Sequence, residues 1–285
     1  MTSPLAPPAQ HPADGPVPPS PAEPPAAPPA APPAPRRRRL RRALVIGGSA
    51  VLALLVVAVV AFLVWADDTY AAEPDGLAAV QDDPRVRLDD RGDVVVLSPA
   101  GEGDGSGLVF LAGAKVEPQA YAATFQEVAA RGTTVVVVEP FLHLALLERR
   151  PFEELTAFAP DVEDWAVGGH SMGGVRACTY AESQEVRALV LLASYCSLGD
   201  LSERTDLAVL TVTGPQDGLV SDESLAGSAA LLPAGAEHVE VDGATHAQFG
   251  DYGPQDGDGT PTASDDEARA RITEALVPFL DAVGR

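Results

Sequence analysis

The chain has 285 residues, and its 41 acidic and 19 basic side chains give a formal net charge of −22. Residues 66–285 alone carry a net charge of −26, so they lack the basic face that a nucleic-acid partner requires. Two cysteines, Cys178 and Cys196, are too few for a disulfide framework or a cysteine-rich metal site.

Residues 1–35 are rich in proline and alanine and hold 15 of the 27 prolines of the chain. Because the segment has almost no large apolar residues, it cannot bury enough surface to fold, and we expect disorder with polyproline II character. A spacer is one interpretation of this tail. A ligand for a proline-binding groove is the other, although no docking motif stands out.

Six arginines within residues 36–42 precede 23 residues without a charge, at positions 43–65. A helix of that length spans a hydrocarbon core of about 30 Å, and Trp65 stands where an interfacial aromatic residue belongs. The alternative is a cleavable signal peptide, whose apolar region usually has about 7–15 residues. The sequence therefore predicts an uncleaved transmembrane helix over residues 43–65.

The charges that flank this helix indicate its orientation. Arginines precede it, whereas Asp67 and Asp68 follow it and no lysine or arginine occurs at 66–84. The positive-inside rule then predicts a cytoplasmic tail at residues 1–42 and an acidic domain outside the cell. The arginines could also form a nucleic-acid or nuclear-targeting patch, but their position beside a span favours topology. Residues 66–83 are predicted to be a linker.

A regular pattern of strands and helices begins at residue 84. Strands are predicted at 85–88 and 93–97, as a hairpin, and then at 107–111, 133–138, 165–168, 189–192, 207–212 and 238–241. Helices are predicted at 118–131, 152–158, 172–182 and 265–282, the last opened by a capping box of Ser264 and Glu267.

This alternation of strands and helices predicts an α/β domain at residues 84–285. Its sheet should be mostly parallel with helices on both faces, and the hairpin should lie at an antiparallel edge. A region of about 200 residues is long enough for one such domain with its own core.

The pentapeptide Gly169-His170-Ser171-Met172-Gly173 lies between a predicted strand and a predicted helix. It has the G-x-S-x-G pattern of a nucleophile elbow, in which glycines on both sides of the serine make room for a very tight turn. Such a turn would hold Ser171 at the carboxyl edge of the sheet, beside the N–H groups of a helix start. A chance match in a glycine-rich chain is the alternative.

A serine hydroxyl needs a base to accept its proton, and in this pattern an acid and then a histidine follow the serine. His246 lies in a loop after a predicted strand, where a mobile catalytic side chain is expected. His238 lies within a strand and would face one side of the sheet. We therefore predict His246 as the base.

Asp217 is the predicted acid, because it lies in a Gly/Pro loop directly after the strand at 207–212. Asp242 ends the strand that leads to His246 and is the best alternative. Asp206 precedes its strand and so should lie at the opposite edge of the sheet. Asp200 and Asp222 are weaker competitors.

The oxyanion of the reaction needs two backbone donors. We predict the N–H of Met172 and the N–H of Ala114, which lies in the loop after an early strand. The neighbouring Lys115 is the only lysine of the chain, and it could contact an acidic substrate group or be a solvated loop residue. Five apolar residues could line an acyl pocket or belong to a structural helix: Phe141, Leu142, Leu144, Leu146 and Leu147.

Together these motifs resemble the α/β-hydrolase superfamily, and more narrowly its small bacterial branch described as dienelactone-hydrolase-like. The similar stretches are 112–121, 167–174, 192–195, 214–218 and 245–253. The resemblance implies the α/β-hydrolase fold and the triad Ser171, Asp217 and His246. Dienelactone hydrolases proper use a cysteine nucleophile, so their substrate does not carry over. Ala112 also replaces a histidine that many members have before the oxyanion donor.

The resulting hypothesis is a membrane-anchored serine hydrolase that forms an acyl-enzyme on Ser171. A small-molecule ester or a lipid-like ester would be its substrate, and neither a metal nor an organic cofactor is required. A thioesterase or an acyltransferase would use the same triad, and a non-catalytic scaffold is the further alternative. Cys178 and Cys196 could form a disulfide outside the membrane or remain free thiols.

Overall fold

The computed structural model describes residues 36–283, so the expected disorder of residues 1–35 lies outside the described part. The chain divides into two units, Met1–Leu54 and Leu55–Arg285. Helix α1 (Arg36–Asp67) begins in the first unit and ends in the second. It is the one helix among the described residues that is long and apolar enough to cross a membrane, and a signal sequence would meet the same criterion.

The second unit is built on one eight-stranded sheet. Its strands are β1 (Val86–Asp90), β2 (Val94–Pro99), β3 (Ser106–Leu111), β4 (Thr134–Val138), β5 (Asp164–His170), β6 (Val186–Leu192), β7 (Ala208–Thr213) and β8 (Glu237–Glu240). They lie in the order β1-β2-β4-β3-β5-β6-β7-β8. The β1–β2 and β2–β4 pairs are antiparallel and the others are parallel, which confirms the predicted α/β architecture and the place of the hairpin.

Among residues 36–283, six further helices accompany the sheet: α2 (Pro74–Gln81), α3 (Ala122–Ala130), α4 (Phe152–Thr156), α5 (Met172–Tyr180), α6 (Asp222–Ala229) and α7 (Asp265–Val283). Short 3-10 turns lie at Pro118–Tyr121, Phe141–His143, Ala145–Leu147 and Ala247–Phe249. The predicted capping box of α7 is present. The N–H and hydroxyl of Ser264 both donate to the Glu267 carboxylate, and the Glu267 N–H donates to Ser264 Oγ at 3.3 Å.

Apolar side chains alternate between the two faces of the sheet. Leu108 and Phe110 of β3 pack into a core that α2, α3 and α7 cover. Val109 and Leu111 pack into a second core, which α4 and α5 cover. Because successive side chains of a strand point to opposite faces of the sheet, one run of buried residues contributes to both cores. The central strands are therefore rigidly held, and their carboxyl ends can position side chains accurately.

Two helices differ from the sequence-based expectation. Helix α2 lies in the segment 66–83, where we expected a linker, and its Val80 is buried in the first core. The Glu73 N–H before it donates to the Asp251 carbonyl at 2.7 Å, so this segment is attached to the domain. Helix α6 was not predicted, because Ser228 is its only buried residue and it has no apolar stripe to reveal it.

Cys178 and Cys196 form a disulfide, which decides between the two alternatives of the sequence. Cys178 lies in α5 and Cys196 lies just after β6, with 5.7 Å between their Cα atoms. Both residues are buried in the second core. The bond therefore ties the helix that follows Ser171 to the neighbouring strand.

Candidate active site

Ser171 occupies the turn between β5 and α5, with a backbone φ of 52° and ψ of −125°. Residues other than glycine rarely adopt a positive φ, so the surrounding structure must hold this conformation. A Cβ added at Gly169 would lie 2.2 Å from the Gly173 carbonyl carbon, and one at Gly173 would lie 2.1 Å from the Leu111 oxygen. Neither position has room for a side chain, so both must be glycine, as the elbow pattern predicts.

Contacts from β6 and its following loop hold the Ser171 backbone. The Ser171 N–H donates to the Leu192 carbonyl at 3.1 Å, and Ser194 Oγ donates to the Ser171 carbonyl at 2.6 Å. A Cβ at Gly174 would lie 2.3 Å from the same Ser194 oxygen. Ser194 lies in the similar stretch 192–195, but no role was predicted for it. Its contact with Ser171 spans 23 residues, and no local pattern announces it.

The predicted acid and the predicted base lie together. Nδ1 of His246 is 2.8 Å from Oδ2 of Asp217, and their side chains are only 1% and 5% exposed. The other carboxylate oxygen accepts the N–H groups of Leu219 and Val220 at 2.7 and 2.9 Å. Since the carboxylate only accepts, Nδ1 carries a hydrogen, and in the neutral imidazole Nε2 is then the acceptor. Nε2 is buried and has no hydrogen-bond partner among residues 36–283.

The competing residues lie elsewhere. Asp242 is 83% exposed and pairs with Arg271, and Asp206 pairs with Arg204. His238 lies on the edge strand β8, where Nε2 is 2.7 Å from Thr213 Oγ1. The structure thus brings together the preferred acid and base and leaves these alternatives apart.

Asp258 joins the loops of the acid and the base. Its Oδ1 accepts the N–H groups of Gly218 and His246, both at 3.1 Å, and its Oδ2 accepts the N–H of Ala247 at 2.8 Å. Burial alone would raise the pKa of Asp258, but these backbone donors outweigh burial and hold the pKa below its ordinary value. Asp258 was not predicted, because its only local signal is a turn of alternating Asp and Gly.

A buried chain of hydrogen bonds joins the loop after β3 to the His246 loop. The Gly113 N–H donates to Tyr121 Oη at 2.9 Å, and Oη lies 2.9 Å from His170 Nδ1. His170 Nε2 lies 3.1 Å from the His246 carbonyl oxygen. Because a carbonyl only accepts, Nε2 carries the hydrogen and Nδ1 accepts from the Tyr121 hydroxyl. All three bonds can therefore form at once.

The two titratable side chains of this hydrogen-bond network, His170 and Tyr121, both stay neutral. Burial, and then repulsion by His246, lowers the pKa of His170 well below its ordinary value. Burial raises the pKa of Tyr121, and the Gly113 N–H opposes this only in part. His170 stays uncharged and Tyr121 keeps its hydrogen across the neutral range, so the bond directions do not change. Neither role was predicted.

The N–H of Ala114 stands apart from its neighbours in the loop after β3. The N–H groups of Ala112, Gly113, Lys115 and Val116 donate to Val138 O, Tyr121 Oη, His143 O and Gly113 O. Ala114 is the one residue of 112–116 whose N–H has no acceptor in the described part of the chain. Met172 is the first residue of α5, where N–H groups lack an intrahelical acceptor. Both predicted donors are thus available to a ligand.

Three of the five apolar residues considered for an acyl pocket, Phe141, Leu142 and Leu147, line a cleft of about 700 Å³. Leu142 and His143 have positive φ values of 54° and 56°, so this wall consists of short, distorted 3-10 turns rather than one regular helix. Ser171 and His246 do not line the cleft.

Among residues 36–283, no group of three or more His, Cys, Asp or Glu side chains could hold a metal ion.

Comparisons with known proteins agree with this fold. A family model described as "Alpha/beta hydrolase family" matches residues 107–270. A Pyrobaculum calidifontis esterase superposes with a TM-score of 0.51 at 18% identity, over 73% of this chain and 89% of that one. The esterase domain of a Rhodothermus marinus protein gives a TM-score of 0.50 at 18% identity, over 70% and 98%. None of the curated proteins matches the chain.

Proposed function

The chain belongs to the α/β hydrolase family, and from that membership we propose that it is a serine hydrolase acting on carboxylic esters. Ser171 is the nucleophile, His246 the base and Asp217 the acid. The observation that carries the proposal is the buried Asp217–His246 hydrogen bond, which leaves Nε2 unpaired and ready to accept a proton. The esterases that share the fold support a small-molecule ester as substrate.

In the first step, the Ser171 hydroxyl oxygen bonds to the carbonyl carbon of the ester, and its proton moves to Nε2 of His246. The electron pair of the carbonyl shifts to oxygen, which becomes an anion. The N–H groups of Met172 and Ala114 stabilise that anion, and each such donor contributes a rate factor of about 10²–10³.

In the second step, the bond to the alcohol oxygen breaks and His246 gives its proton to the departing alcohol. Water then attacks the acyl group on Ser171 while His246 accepts one proton of the water. The carboxylic acid leaves as His246 returns the proton to Ser171. Asp217 remains a carboxylate throughout, holds the imidazole through Nδ1 and stabilises the imidazolium.

For the rest of the chain we propose a tail at 1–42, a transmembrane anchor at 43–65, a connecting segment at 66–83 and a hydrolase domain at 84–285. Residues 43–65 are exposed along their whole length, as an apolar helix surrounded by lipid would be. The arginines before the helix favour a cytoplasmic tail and an extracytoplasmic domain.

The enzymatic proposal is tested by labelling the full chain, in detergent, with a fluorophosphonate. We expect one covalent adduct on Ser171, located by peptide mass spectrometry, and none in Ser171→Ala. The variant Ser202→Ala, at a half-buried turn position, is the matched control and should label like the wild type. Failure of the wild type to label, or labelling of Ser171→Ala, would contradict the proposal. A panel of esters with rising acyl length then defines the preferred acid.

The topology is tested with a protease added to intact cells. We expect digestion of the acidic domain and survival of a fragment that carries the tail and the helix. Complete protection of the domain would reverse the orientation. The mass of the purified protein tests the anchor, because a cleaved signal peptide would leave a product that lacks residues 1–65.

A further inference from the structure

We propose that residues 65–70, which comprise the last turn of α1 and the three residues after it, are a positioning element of the active site. They act through Lys115 on the loop 112–117, which contains the proposed oxyanion donor Ala114. This inference rests on the proposed function and extends it to residues outside the part that matches the family model, 107–270.

Lys115 is held by side chains of this segment. Its Nζ lies 5.0 Å from the centroid of the Trp65 ring and 5.8 Å from that of Tyr70. Oδ2 of Asp68 is 3.5 Å from the same nitrogen. Lys115 is only 9% exposed, although a lysine in a surface loop would ordinarily extend into water. Two aromatic faces and a carboxylate therefore replace much of its solvation.

Backbone bonds fasten the same segment to the same loop. The Tyr70 N–H donates to the Lys115 carbonyl at 2.6 Å, and the Glu117 N–H donates to the Tyr70 carbonyl at 3.0 Å. These two bonds form a parallel bridge between Tyr70 and Val116. The Thr69 hydroxyl also donates to Glu117 Oε1 at 2.8 Å. The loop thus has an outer partner that runs alongside it like a short strand.

The opposite side of the loop is held from within the domain. Lys115 has a φ of 63°, and its N–H donates to the His143 carbonyl at 2.8 Å. A residue with a side chain keeps such a φ only where neighbours enforce it. Gly113 is fixed by Tyr121, so the Ala114 N–H, which has no acceptor within residues 36–283, lies between two held residues. Its direction depends on Lys115, and hence on residues 65–70.

The consequence for catalysis is specific. A donor that points away from the developing oxyanion loses its effect in the transition state and has little effect on substrate binding. Loosening the support of Lys115 should therefore lower kcat and leave KM nearly unchanged. A purely structural role would instead lower the thermal midpoint and the active fraction together.

The experiment uses the full chain in detergent with 4-nitrophenyl butyrate as the probe ester. We expect Lys115→Met and Trp65→Leu to lower kcat about tenfold, with KM within about twofold, because small displacements of catalytic groups are costly. Lys115→Arg keeps a cation over the two rings and should recover part of the loss. Arg91→Met is the matched control, since it removes a cation that lies 5.5 Å from the Phe158 ring, near Asp89 in the hairpin.

A second readout does not depend on activity. Lys115 is the only lysine, so an amine-acetylating reagent modifies that side chain and the N-terminus alone. We expect acetylation of Lys115 at least tenfold slower in the folded wild type than in the unfolded chain, and faster in Trp65→Leu. Acetylation of folded Lys115 at the unfolded rate would overturn the proposal.

The outcomes separate this inference from the proposed function. If the wild type reacts with a fluorophosphonate and Lys115→Met keeps its kcat within twofold, only the positioning role is wrong. Equal losses in Lys115→Met and Arg91→Met also overturn that role. If Ser171 of the wild type does not react at all, the proposed function fails and the positioning role fails with it.

Discussion

His170 Nε2 donates a hydrogen bond to the backbone carbonyl of His246, across 3.1 Å. The residue before the proposed nucleophile is thus bonded to the backbone of the proposed base, and the two imidazole rings lie 4.6 Å apart. Any movement of the His246 loop must break a buried bond. The elbow and the base, 75 residues apart along the chain, are held as one unit, although His246 Nε2 itself has no partner in the described part of the chain.

Replacement of Tyr121 by phenylalanine tests this network. Tyr121→Phe leaves the Gly113 N–H and His170 Nδ1 buried without their partner, and an unsatisfied buried group costs about 1–3 kcal/mol. We expect a loss of that size in the free energy of unfolding, measured with denaturant. Tyr195→Phe is the control, because that ring is only half-buried. Equal stability of the two variants would show that the network contributes nothing.

Replacement of Asp217 by asparagine separates orientation from simple packing. Asp217→Asn keeps the size of the side chain but can hold the imidazole in the wrong tautomer, which lowers kcat by about 10⁴ in enzymes of this mechanism. We expect a loss of that order in esterase assays. Asp242→Asn should change kcat by less than twofold, since Asp242 pairs with Arg271 on the surface. The reverse result would make Asp242 the acid.

Asp258→Asn tests the connection between the acid and base loops. Because the folded pKa of Asp258 lies below its ordinary value of 3.8, its carboxylate stabilises the fold above that pH. That stability is lost as the pH falls through the folded pKa. The wild type should therefore lose more unfolding free energy than Asp258→Asn on acidification below pH 3.8.

The same variant should affect the reaction at neutral pH. Its amide can no longer accept all the backbone N–H groups of the two loops, so we expect kcat to fall about tenfold or more. Asp256→Asn, in the same exposed turn, is the control for altered charge. A connecting role would be contradicted if Asp258→Asn kept its kcat and lost as much unfolding free energy as the wild type on acidification.

Removal of the disulfide by Cys178→Ser with Cys196→Ser should destabilise the domain without altering the reacting groups. The bond closes a segment with a sequence separation of 18 residues. A cross-link of about that span contributes roughly 3 kcal/mol by restricting the unfolded chain. Thermal unfolding should shift accordingly, and a reductant should shift the wild type but not the double variant. A wild type insensitive to reductant would contradict this.

The fold was largely predictable because its signals are local. Strands β3, β4 and β6 each contain a run of at least four apolar residues, and the glycines around Ser171 indicate a turn with no room for a larger side chain. His246 and Asp217 could be chosen because each follows a predicted strand. A parallel sheet brings such residues to one edge.

What escaped prediction depends on contacts between distant residues. In the sequence, Tyr121 is one aromatic residue within a predicted helix. Its hydrogen bond with His170 forms only when the chain folds. Asp258 is one of several acids in a turn, and nothing local distinguishes it. The sequence allowed the two cysteines to form a disulfide or to remain free thiols, since the distance between them depends on how α5 packs against β6.

The contact between Trp65 and Lys115 has a consequence for how a substrate arrives. If Trp65 marks the membrane interface, as proposed, then the oxyanion loop lies at the level of the lipid headgroups, because the lysine amine is 5.0 Å from the indole ring. An ester embedded in the outer leaflet would reach Ser171 by lateral diffusion in two dimensions. Its rate of turnover would then follow its surface mole fraction in the bilayer rather than its bulk concentration.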